Sequence, residues 1–325
     1  MKPKTLQQAF QYFTDPQNCL DYMTSKRWPD GVVTCPTCGR KDVSFLKTQN
    51  KWQCKSAHAK RQFSAKVGTI FEDSPIGLDK WLVVVWMLTN CKNGVSSYEI
   101  AKAIGVTQKS AWFMLHRIRL GLKEQHGFVS PTKIGGEGSA VEVDEAFIGG
   151  KAKNMHRAKA KNYATSGTHH GKTIVIGMLD RDQRKIRAKV LPNVQRETLQ
   201  NEVLSNVKFG SKVYTDNSYG YDLLHSRFVH EFVNHAVCYV NGQVHTNGLE
   251  NFWSLLKRNL RGTYVAVEPF HLDRYLDEQI FRYNNRGDRK NKVTDSQRFD
   301  LAMSQVFNKR LTFAEVTGKV GETSF

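Results

Sequence analysis

Three acidic residues lie where a metal-dependent enzyme could use them. Asp144 lies in the segment VEVDE, Asp216 in VYTD and Glu250 in TNGLENFW, and these segments have the patterns of two strands and a helix. Carboxylate oxygens are preferred ligands of Mg²⁺, and two such ions can together promote the cutting of a phosphodiester bond. If the three segments meet in the fold, they predict a site for Mg²⁺, or Mn²⁺ in its place.

The segments that must position these carboxylates alternate between strand and helix patterns from residue 140 onward. Strands are predicted at 140–148, 172–180, 185–193 and 211–216 and within 228–239, and helices at 196–207 and 247–258. We expect the order strand, strand, strand, helix, strand, helix, strand, helix, with the acids on the first strand, the fourth strand and the helix after the fifth. A single Asp at a strand end is usually a turn residue, but three acids in this order indicate a mixed α/β domain with a ribonuclease H-like layout.

Further charged residues accompany the acids. Lys257 follows Glu250 by seven residues, about two helical turns, so both side chains project from one face of the helix. A lysine there could hold a DNA phosphate beside the metal ions, and Arg258 is a further candidate DNA contact. Glu142 and Glu145 are acids close to the first carboxylate. Strand alternation puts Glu142 on the same face as that carboxylate, so it remains an alternative to it.

A second group of residues near the N-terminus has the spacing of a metal site. Cys35 and Cys38 form a C-x-x-C pair, fifteen residues separate Cys38 from Cys54, and His58 follows after three more. Two short-spaced pairs separated by a hairpin-sized loop suit tetrahedral Zn²⁺, and Gly39 allows a tight turn after the second sulfur. A chance cluster or a redox pair is the alternative. The spacing predicts a structural zinc ribbon with the three cysteines and His58 as ligands.

Between the ribbon and the α/β region, the pattern predicts two helices joined by a tight turn. Apolar residues recur at helical spacing from 96 to 119, Gly105 falls at the turn, and Thr107 can cap the second helix. This is typical of a helix-turn-helix, although an ordinary helical hairpin has a similar pattern. The second helix would then direct polar side chains toward a DNA major groove. These side chains are Gln108, Lys109, Trp112, His116 and Arg119.

The charge of the chain indicates a polyanionic partner. Its 325 residues carry a formal net charge of +18, and 40% of them are hydrophobic, which suffices for folded cores. A basic protein without such a partner is the alternative, and an anionic membrane is less favoured because neither end has a basic amphipathic helix. No acid occurs between Ala146 and Leu179, and we expect this basic stretch to contact DNA rather than to be merely solvated. The expected contacts are Lys151, Lys153, Arg157, Lys159 and Lys161.

Compartment and domain limits follow from the same sequence. The longest apolar run, at 81–88, is too short to span a bilayer, and the N-terminus lacks the apolar core of a signal peptide. We therefore expect a cytoplasmic protein whose cysteines stay reduced. The predicted domains are N-terminal helices and the zinc ribbon at 1–75, the helix-turn-helix segment at 76–125, the ribonuclease H-like domain at 140–290 and a C-terminal tail at 291–325.

Taken together, the motifs resemble those of a known family. VEVDEAFIGGK, GKTIVIGM, VYTDNSYGY and VHTNGLENFWSLLKR, followed by GTY, HLDRY and FRYNNR, are similar to motifs of the DDE transposases of bacterial insertion sequences. The N-terminal RWPDGVVTCPTCG narrows the resemblance to the ISXO-like group, whose members carry a zinc ribbon. The resemblance covers roughly residues 10–286.

The resemblance implies transposition with a divalent metal: water attacks at the transposon end, and the freed 3′-hydroxyl then attacks target DNA. Asp144, Asp216 and Glu250 map onto the catalytic triad. The group varies at the third position, where Asn247 is an alternative. We assign the metal to Glu250, because Mg²⁺ prefers a charged carboxylate, and the capping of the helix to Asn247.

The resemblance also implies partners: double-stranded DNA, as transposon ends and target, and further copies of the chain in a homo-oligomeric active complex at the bacterial nucleoid. Two departures from the group are Val265, where the group tends to have His, and His58, where a second C-x-x-C would place Cys. A DNA-binding regulator without catalysis and a ribonuclease H-like nuclease are alternative functions. The intact acidic set argues against the regulator, and the ribbon and helix-turn-helix argue against the nuclease.

Overall fold

The computed structural model describes residues 3–123, 133–149, 172–216, 219–221, 224–233, 243–287 and 291–319. The chain divides into two compact units, Met1–Glu124 with Asn285–Phe325 and Gln125–Asn284. The C-terminal segment therefore belongs to the same unit as the N-terminal segment. No helix in the described ranges is long and apolar enough to cross a membrane.

The elements of the described residues are numbered in chain order. The helices are α1 (Leu6–Phe13), α2 (Pro16–Arg27), α3 (Leu78–Asn90), α4 (Ser97–Ile104), α5 (Gln108–Leu122), α6 (Arg196–Asn206), α7 (Asn247–Gly262), α8 (Leu272–Asn284), α9 (Asp295–Ser304) and α10 (Phe313–Thr317). The strands are β1 (Val43–Leu46), β2 (Lys51–Cys54), β3 (Gln62–Phe63), β4 (Ala140–Ile148), β5 (Thr173–Asp180), β6 (Lys185–Leu191), β7 (Lys212–Asp216) and β8 (Val229–Val233).

The second unit is built on a five-stranded sheet with the order β6-β5-β4-β7-β8. Pairing is antiparallel from β6 to β4 and parallel from β4 to β8. The predicted strands and helices of this region are confirmed to within a few residues, with one exception. Between the fourth and fifth strands of this sheet, the described residues form two short 3-10 turns at Tyr219–Tyr221 and Leu224–Ser226, not a regular helix.

Helices cover each face of this sheet, because β5 has apolar side chains on both of its faces. On one face, Leu199 and Val203 of α6 join a core with Val141, Val143 and Ile176. On the other face, α7 and α8 pack over β5 and β6. The side chains of this second core include Val175, Leu179, Ile186, Leu249, Phe252, Trp253, Leu256 and Leu276. The amphipathic helix α7 is therefore held against the sheet by its apolar face while its charged face stays outside.

The first unit is a helical assembly around α3, the apolar run seen in the sequence. Trp86 of α3 packs against Phe299 of α9, with ring centroids 5.1 Å apart. Phe299 also contacts Phe13 of α1 and Tyr22 of α2. The backbone N–H of Ile70 bonds to the carbonyl of Val306 at 3.0 Å. Residues 291–319, expected to be part of a tail, are thus built into the core of this unit.

The predicted pair of helices before the α/β region is confirmed. A capping box between Ser96 and Glu99 begins α4, and Gly105 ends it with φ +62°, a conformation that favours glycine. The side chain of Thr107 accepts the N–H of Ser110 and begins α5. α5 continues to Leu122, three residues beyond the predicted segment.

Candidate active site and metal centre

The topology brings the three predicted carboxylates to one end of the second unit's sheet. β4 and β7 are parallel neighbours, Asp144 is the central residue of β4, and Asp216 is the last residue of β7. Glu250 is in the first turn of α7. A cavity of about 800 Å³ opens here, bordered by Asp144, Glu145 and Glu250. Asp216 does not border this cavity, but its charge acts on both Asp144 and Glu145.

The pKa values of two acids at this site are raised because the acids are buried close to one another. Burial, followed by the charge of Asp216, raises the pKa of Asp144 to about 6, and Glu250 adds a smaller effect in the same direction. Burial and the charges of Asp216 and Asp144 raise the pKa of Glu145 to about 8. The hydroxyl of Tyr221 donates to the Glu145 carboxylate. Burial and mutual repulsion therefore disfavour the ionised carboxylates, and a bound cation would offset both effects.

Asp144 is held in place by the indole of Trp253. Trp253 Nε1 donates to Asp144 Oδ2 at 2.9 Å, and this bond favours the ionised carboxylate. The indole fits because the residue opposite Asp144 on β5 is Gly177. A Cβ on Gly177 would lie 2.6 Å from Trp253 Cζ2, far inside van der Waals contact. The glycine in GKTIVIGM thus makes room for the side chain that orients the first carboxylate.

The N-terminus of α7 differs from the prediction. The residue before the helix is Thr246, and no side-chain hydrogen bond caps the helix there. The prediction that Asn247 caps the helix is therefore wrong, because Asn247 is already its first residue. A carboxylate from the sheet takes this part instead, since Glu142 Oε2 accepts the N–H of Leu249 at 2.9 Å. Glu142, the alternative to Asp144, thus has a structural role, since it accepts a backbone hydrogen bond of α7.

Cations face the acids from the same helix. Lys257, Arg258 and Arg261 border the cavity together with Glu250. Sequence reasoning found the first two but missed Arg261. Its signal was present, because residues 250, 254, 257, 258 and 261 recur at the 3.6-residue period of one helix face. Glu145 was noted only as a neighbour, and the role of Trp253 depends on β5, which no local pattern reveals.

The predicted zinc ligands come together in the first unit. The Sγ atoms of Cys38 and Cys54 are 3.6 Å apart, and Cys35 Sγ lies 3.5 Å from His58 Nε2. All four ligand atoms lie within 4.8 Å of one another. Ligands of a tetrahedral Zn²⁺ at about 2.3 Å lie about 3.8 Å from one another, so the four residues fit this metal.

Local structure prepares these cysteines for metal. Gly39, with φ +72°, turns the chain after Cys38, and its N–H bonds to the carbonyl of Cys35 at 2.9 Å. The N–H of Ser56 contacts Cys54 Sγ at 3.4 Å. Backbone hydrogen bonding by Ser56 lowers the pKa of Cys54 to about 6, and the thiolate is the form that binds metal.

A small aromatic core lies beside the cluster. β1, β2 and β3 form an antiparallel sheet, and Trp52 of β2 stacks on Phe63 of β3 with centroids 5.9 Å apart. Trp28 packs edge-on against Trp52. A core of this size usually requires a metal to stabilise it.

Some of the DNA contacts predicted on α5 are accessible in the structure, and others are buried. Lys109 is exposed and Trp112 half-buried. Arg119 is 1% exposed and His116 0%, so the prediction that they project outward is wrong. α5 contacts α3, α4, α9 and α10, and Lys109 is the one residue of this helix that is exposed. The predicted contacts Lys151, Lys153, Arg157, Lys159 and Lys161 lie outside the described residues.

Comparisons with known proteins match both regions. The family model described as the ISXO2-like transposase domain matches residues 135–284, and the transposase zinc-ribbon domain matches residues 15–59. An uncharacterised transposase-like protein of Haemophilus influenzae is 37% identical over 102 residues, which are 31% of this chain and 82% of that protein. An uncharacterised protein in transposable element ISH50 of Halobacterium salinarum is 27% identical over 283 residues, 81% of this chain and 89% of that protein.

Among solved structures, a simian T-cell lymphotropic virus intasome in complex with PP2A regulatory subunit B56 gamma aligns with 67% of this chain and 74% of the matched chain, at 12% identity and a TM-score of 0.30. The two family models and the two relatives confirm the resemblance read from the motifs. The chain belongs to the ISXO2-like transposases, with a transposase zinc ribbon ahead of its DDE domain.

Proposed function

We propose that this transposase binds the terminal inverted repeats of an insertion sequence and catalyses metal-dependent DNA cleavage and strand transfer. The observation that carries the proposal is the meeting of Asp144, Glu250 and Lys257 around one cavity, with the charge of Asp216 acting on Asp144. Carboxylates that could hold metal thus stand beside a cation that could hold a phosphate.

The fold of the second unit supports a ribonuclease H-like core. Counted from β4, its strands lie in the order 3-2-1-4-5, with the first three antiparallel and the last two parallel to the first. The carboxylates fall on the first strand, the fourth strand and the helix after the fifth. This is the layout expected from the sequence.

The acidic cluster fits a divalent cation. Asp144, Asp216 and Glu250 would hold Mg²⁺ or Mn²⁺, because they offer hard oxygen ligands whose charges oppose one another until a cation is present. When bound, the metal polarises the phosphate and favours ionisation of the attacking water or hydroxyl.

The chain's own residues have separate tasks in this proposal. Trp253 orients the Asp144 carboxylate through its N–H. Lys257, Arg258 and Arg261 attract the DNA backbone to the cavity, as cations do for phosphates. The zinc ribbon and the α4–α5 pair, including Lys109 and Trp112, bind transposon ends. The active complex contains more than one copy of the chain, and duplex DNA serves as both end and target.

The test is a strand-transfer assay with the terminal repeats that flank the gene. Asp144→Asn should abolish Mg²⁺- or Mn²⁺-dependent cleavage while binding to the end persists, because the carboxylate holds metal and not DNA. Asp182→Asn is the matched control, since Asp182 is an exposed aspartate in the turn after β5. Cleavage by Asp144→Asn at the wild-type rate contradicts the assignment. Binding without cleavage by the wild-type protein favours a regulator, and cleavage without strand transfer favours a nuclease.

A further inference from the structure

The loop after α7 contains a backbone conformation that its sequence does not favour. Val265 has φ +61°, and the N–H of Ala266 bonds to the carbonyl of Tyr264 at 2.7 Å. Such a three-residue turn with positive φ at its centre is the rare and strained form of γ-turn. A β-branched side chain tolerates positive φ least of all, because its Cβ substituents crowd the backbone.

Val265 differs in this respect from the other described non-glycine residues with positive φ. Asparagine and aspartate adopt this region readily, and an arginine lacks the second branch at Cβ. The other residues are Asn50, Asp73, Arg184 and Asn308. The conformation at Val265 must therefore be imposed by its surroundings.

The buried contacts of the preceding residue, Tyr264, impose the positive φ at Val265. The hydroxyl of Tyr264 donates to Glu278, which is fully buried on α8 and also pairs with Arg282. The Tyr264 ring packs on Tyr275 with centroids 4.7 Å apart. The backbone N–H of Tyr264 bonds to the carbonyl of Asn259 at 3.2 Å. Two residues later, Val267 packs against the same core. With both sides of the turn anchored, Val265 has no freedom to relax.

The Val265 side chain is not stabilised by packing within the fold. Val265 is 78% exposed, more than any other large hydrophobic residue described. It follows Gly262 by three residues, and Gly262 borders the cavity with Arg258 and Arg261. Strain at an exposed apolar residue, three positions beyond the end of the cavity that carries Arg258 and Arg261, points to a ligand outside the chain. The loop 263–271 is mostly apolar and has one acid, Glu268, and no lysine or arginine, so the cations of this surface are those of the helix end, Arg258 and Arg261.

We propose that Val265 is an apolar wedge that contacts an unstacked base of the transposon end at the cleavage site. Aliphatic side chains inserted between base steps unstack them, and the freed base can then leave the duplex. The cations on α7 hold the backbone of the same strand. This inference rests on the proposed function and names the DNA feature that the cavity rim recognises.

The test uses the full chain and a duplex transposon end carrying 2-aminopurine, in turn, at each position around the cut. This base becomes brighter when it loses stacking. With wild-type protein we expect the fluorescence to rise at one position next to the cut. With Val265→Ala the rise should be largely lost and cleavage should slow by about tenfold or more, because unstacking a step is then unaided. A duplex with an unpaired base at that position should restore the rate, which a merely structural defect would not allow.

Two variants separate contact from stability. Val229→Ala is the matched control, because Val229 is 50% exposed in the same unit and pairs with Lys212, at the end of β7 away from Asp216. It should behave as wild type. Val265→Gly should melt at a higher temperature than Val265→Ala, since glycine accepts positive φ, yet share its cleavage defect. Wild-type protein that fails to cut overturns the proposed function and this inference with it. Wild-type protein that cuts, with Val265→Ala equal to it in rate and fluorescence, overturns the wedge alone.

Discussion

The carboxylate of Glu142 accepts the backbone N–H of Leu249, with 2.9 Å between Oε2 and the nitrogen. The same carboxylate pairs with Arg181 at 2.7 Å, and Arg181 also donates to two backbone carbonyls of the segment before α7. Glu142 is 1% exposed. One ion pair, between the buried Glu142 and the partly buried Arg181, thus ties β4 and the end of β5 to the helix turn that carries Glu250.

Glu142→Gln should therefore destabilise the protein and displace Glu250. Glu142→Gln removes the charge that faces the partly buried Arg181, at an expected cost of about 2 kcal/mol in the free energy of unfolding. The cleavage rate should fall as well. Urea unfolding and the strand-transfer assay measure the two effects. In the control, Glu202→Gln breaks a pair with the half-exposed Lys189 and should cost at most about 1 kcal/mol. Equal costs for the two variants would contradict the structural role of Glu142.

Gly177→Ala should impair catalysis from the strand next to Asp144. The added Cβ would meet the Trp253 ring at 2.6 Å, so the indole must shift and its bond to Asp144 must weaken. We expect slower cleavage and a higher Mg²⁺ requirement, measured by titrating the metal. Trp253→Phe should act in the same direction, because it keeps an aromatic ring but removes the N–H. Wild-type metal dependence in both variants would show that the indole does not position Asp144.

Cys35→Ser should release zinc and loosen the ribbon, because a four-ligand site that also stabilises a small core loses both functions together. Metal analysis by mass spectrometry should find about one zinc per wild-type chain and far less in the variant. Limited proteolysis should then cut within residues 31–65. Cys91→Ser is the control, since Cys91 lies outside the cluster, and it should retain zinc. Wild-type protein purified without zinc would contradict the metal centre.

The sequence predicted those features that depend on spacing within one segment. Fifteen residues between Cys38 and Cys54 are the length of the hairpin that closes the ribbon, and apolar alternation located the strands that carry Asp144 and Asp216. Helical period placed Glu250 and Lys257 on one face. Local hydrogen bonding and side-chain periodicity determine all of these, so they can be read without tertiary contacts.

Features that depend on distant segments were missed. Arg119 is buried because α5 is packed among α3, α4, α9 and α10, and α9 and α10 come from the far end of the chain. Glu142 seemed a spare acid until its pairing with Arg181, 39 residues away, was visible. The cap of α7 comes from the sheet and not from Asn247, since tertiary contacts satisfied the N–H that a local side chain usually accepts.

Glu145 predicts a pH dependence of stability in metal-free protein. Its pKa rises from the ordinary value of 4.5 to about 8 through burial and the charge of Asp216. Between these values the folded chain binds more protons than the unfolded chain, so the free energy of unfolding falls as pH rises. Glu145→Gln removes this titration. In the presence of a chelator, the melting temperature of Glu145→Gln minus that of the wild type should therefore increase from about pH 5 to about pH 8. A constant difference would contradict the raised pKa.

Glu250 and Asn247 lie in the same turn of α7, and their substitutions should differ in kind. Glu250→Gln should cost orders of magnitude in strand transfer with little change in unfolding free energy, because Glu250 is exposed and supplies charge for the metal. Glu197→Gln is the matched control, since Glu197 is an exposed glutamate in the first turn of α6, and it should leave the rate unchanged. Asn247→Ala should alter stability by no more than about 0.5 kcal/mol, because no cap is lost. If Asn247→Asp gains metal affinity while Glu250→Gln stays active, the third metal ligand is residue 247 and not residue 250.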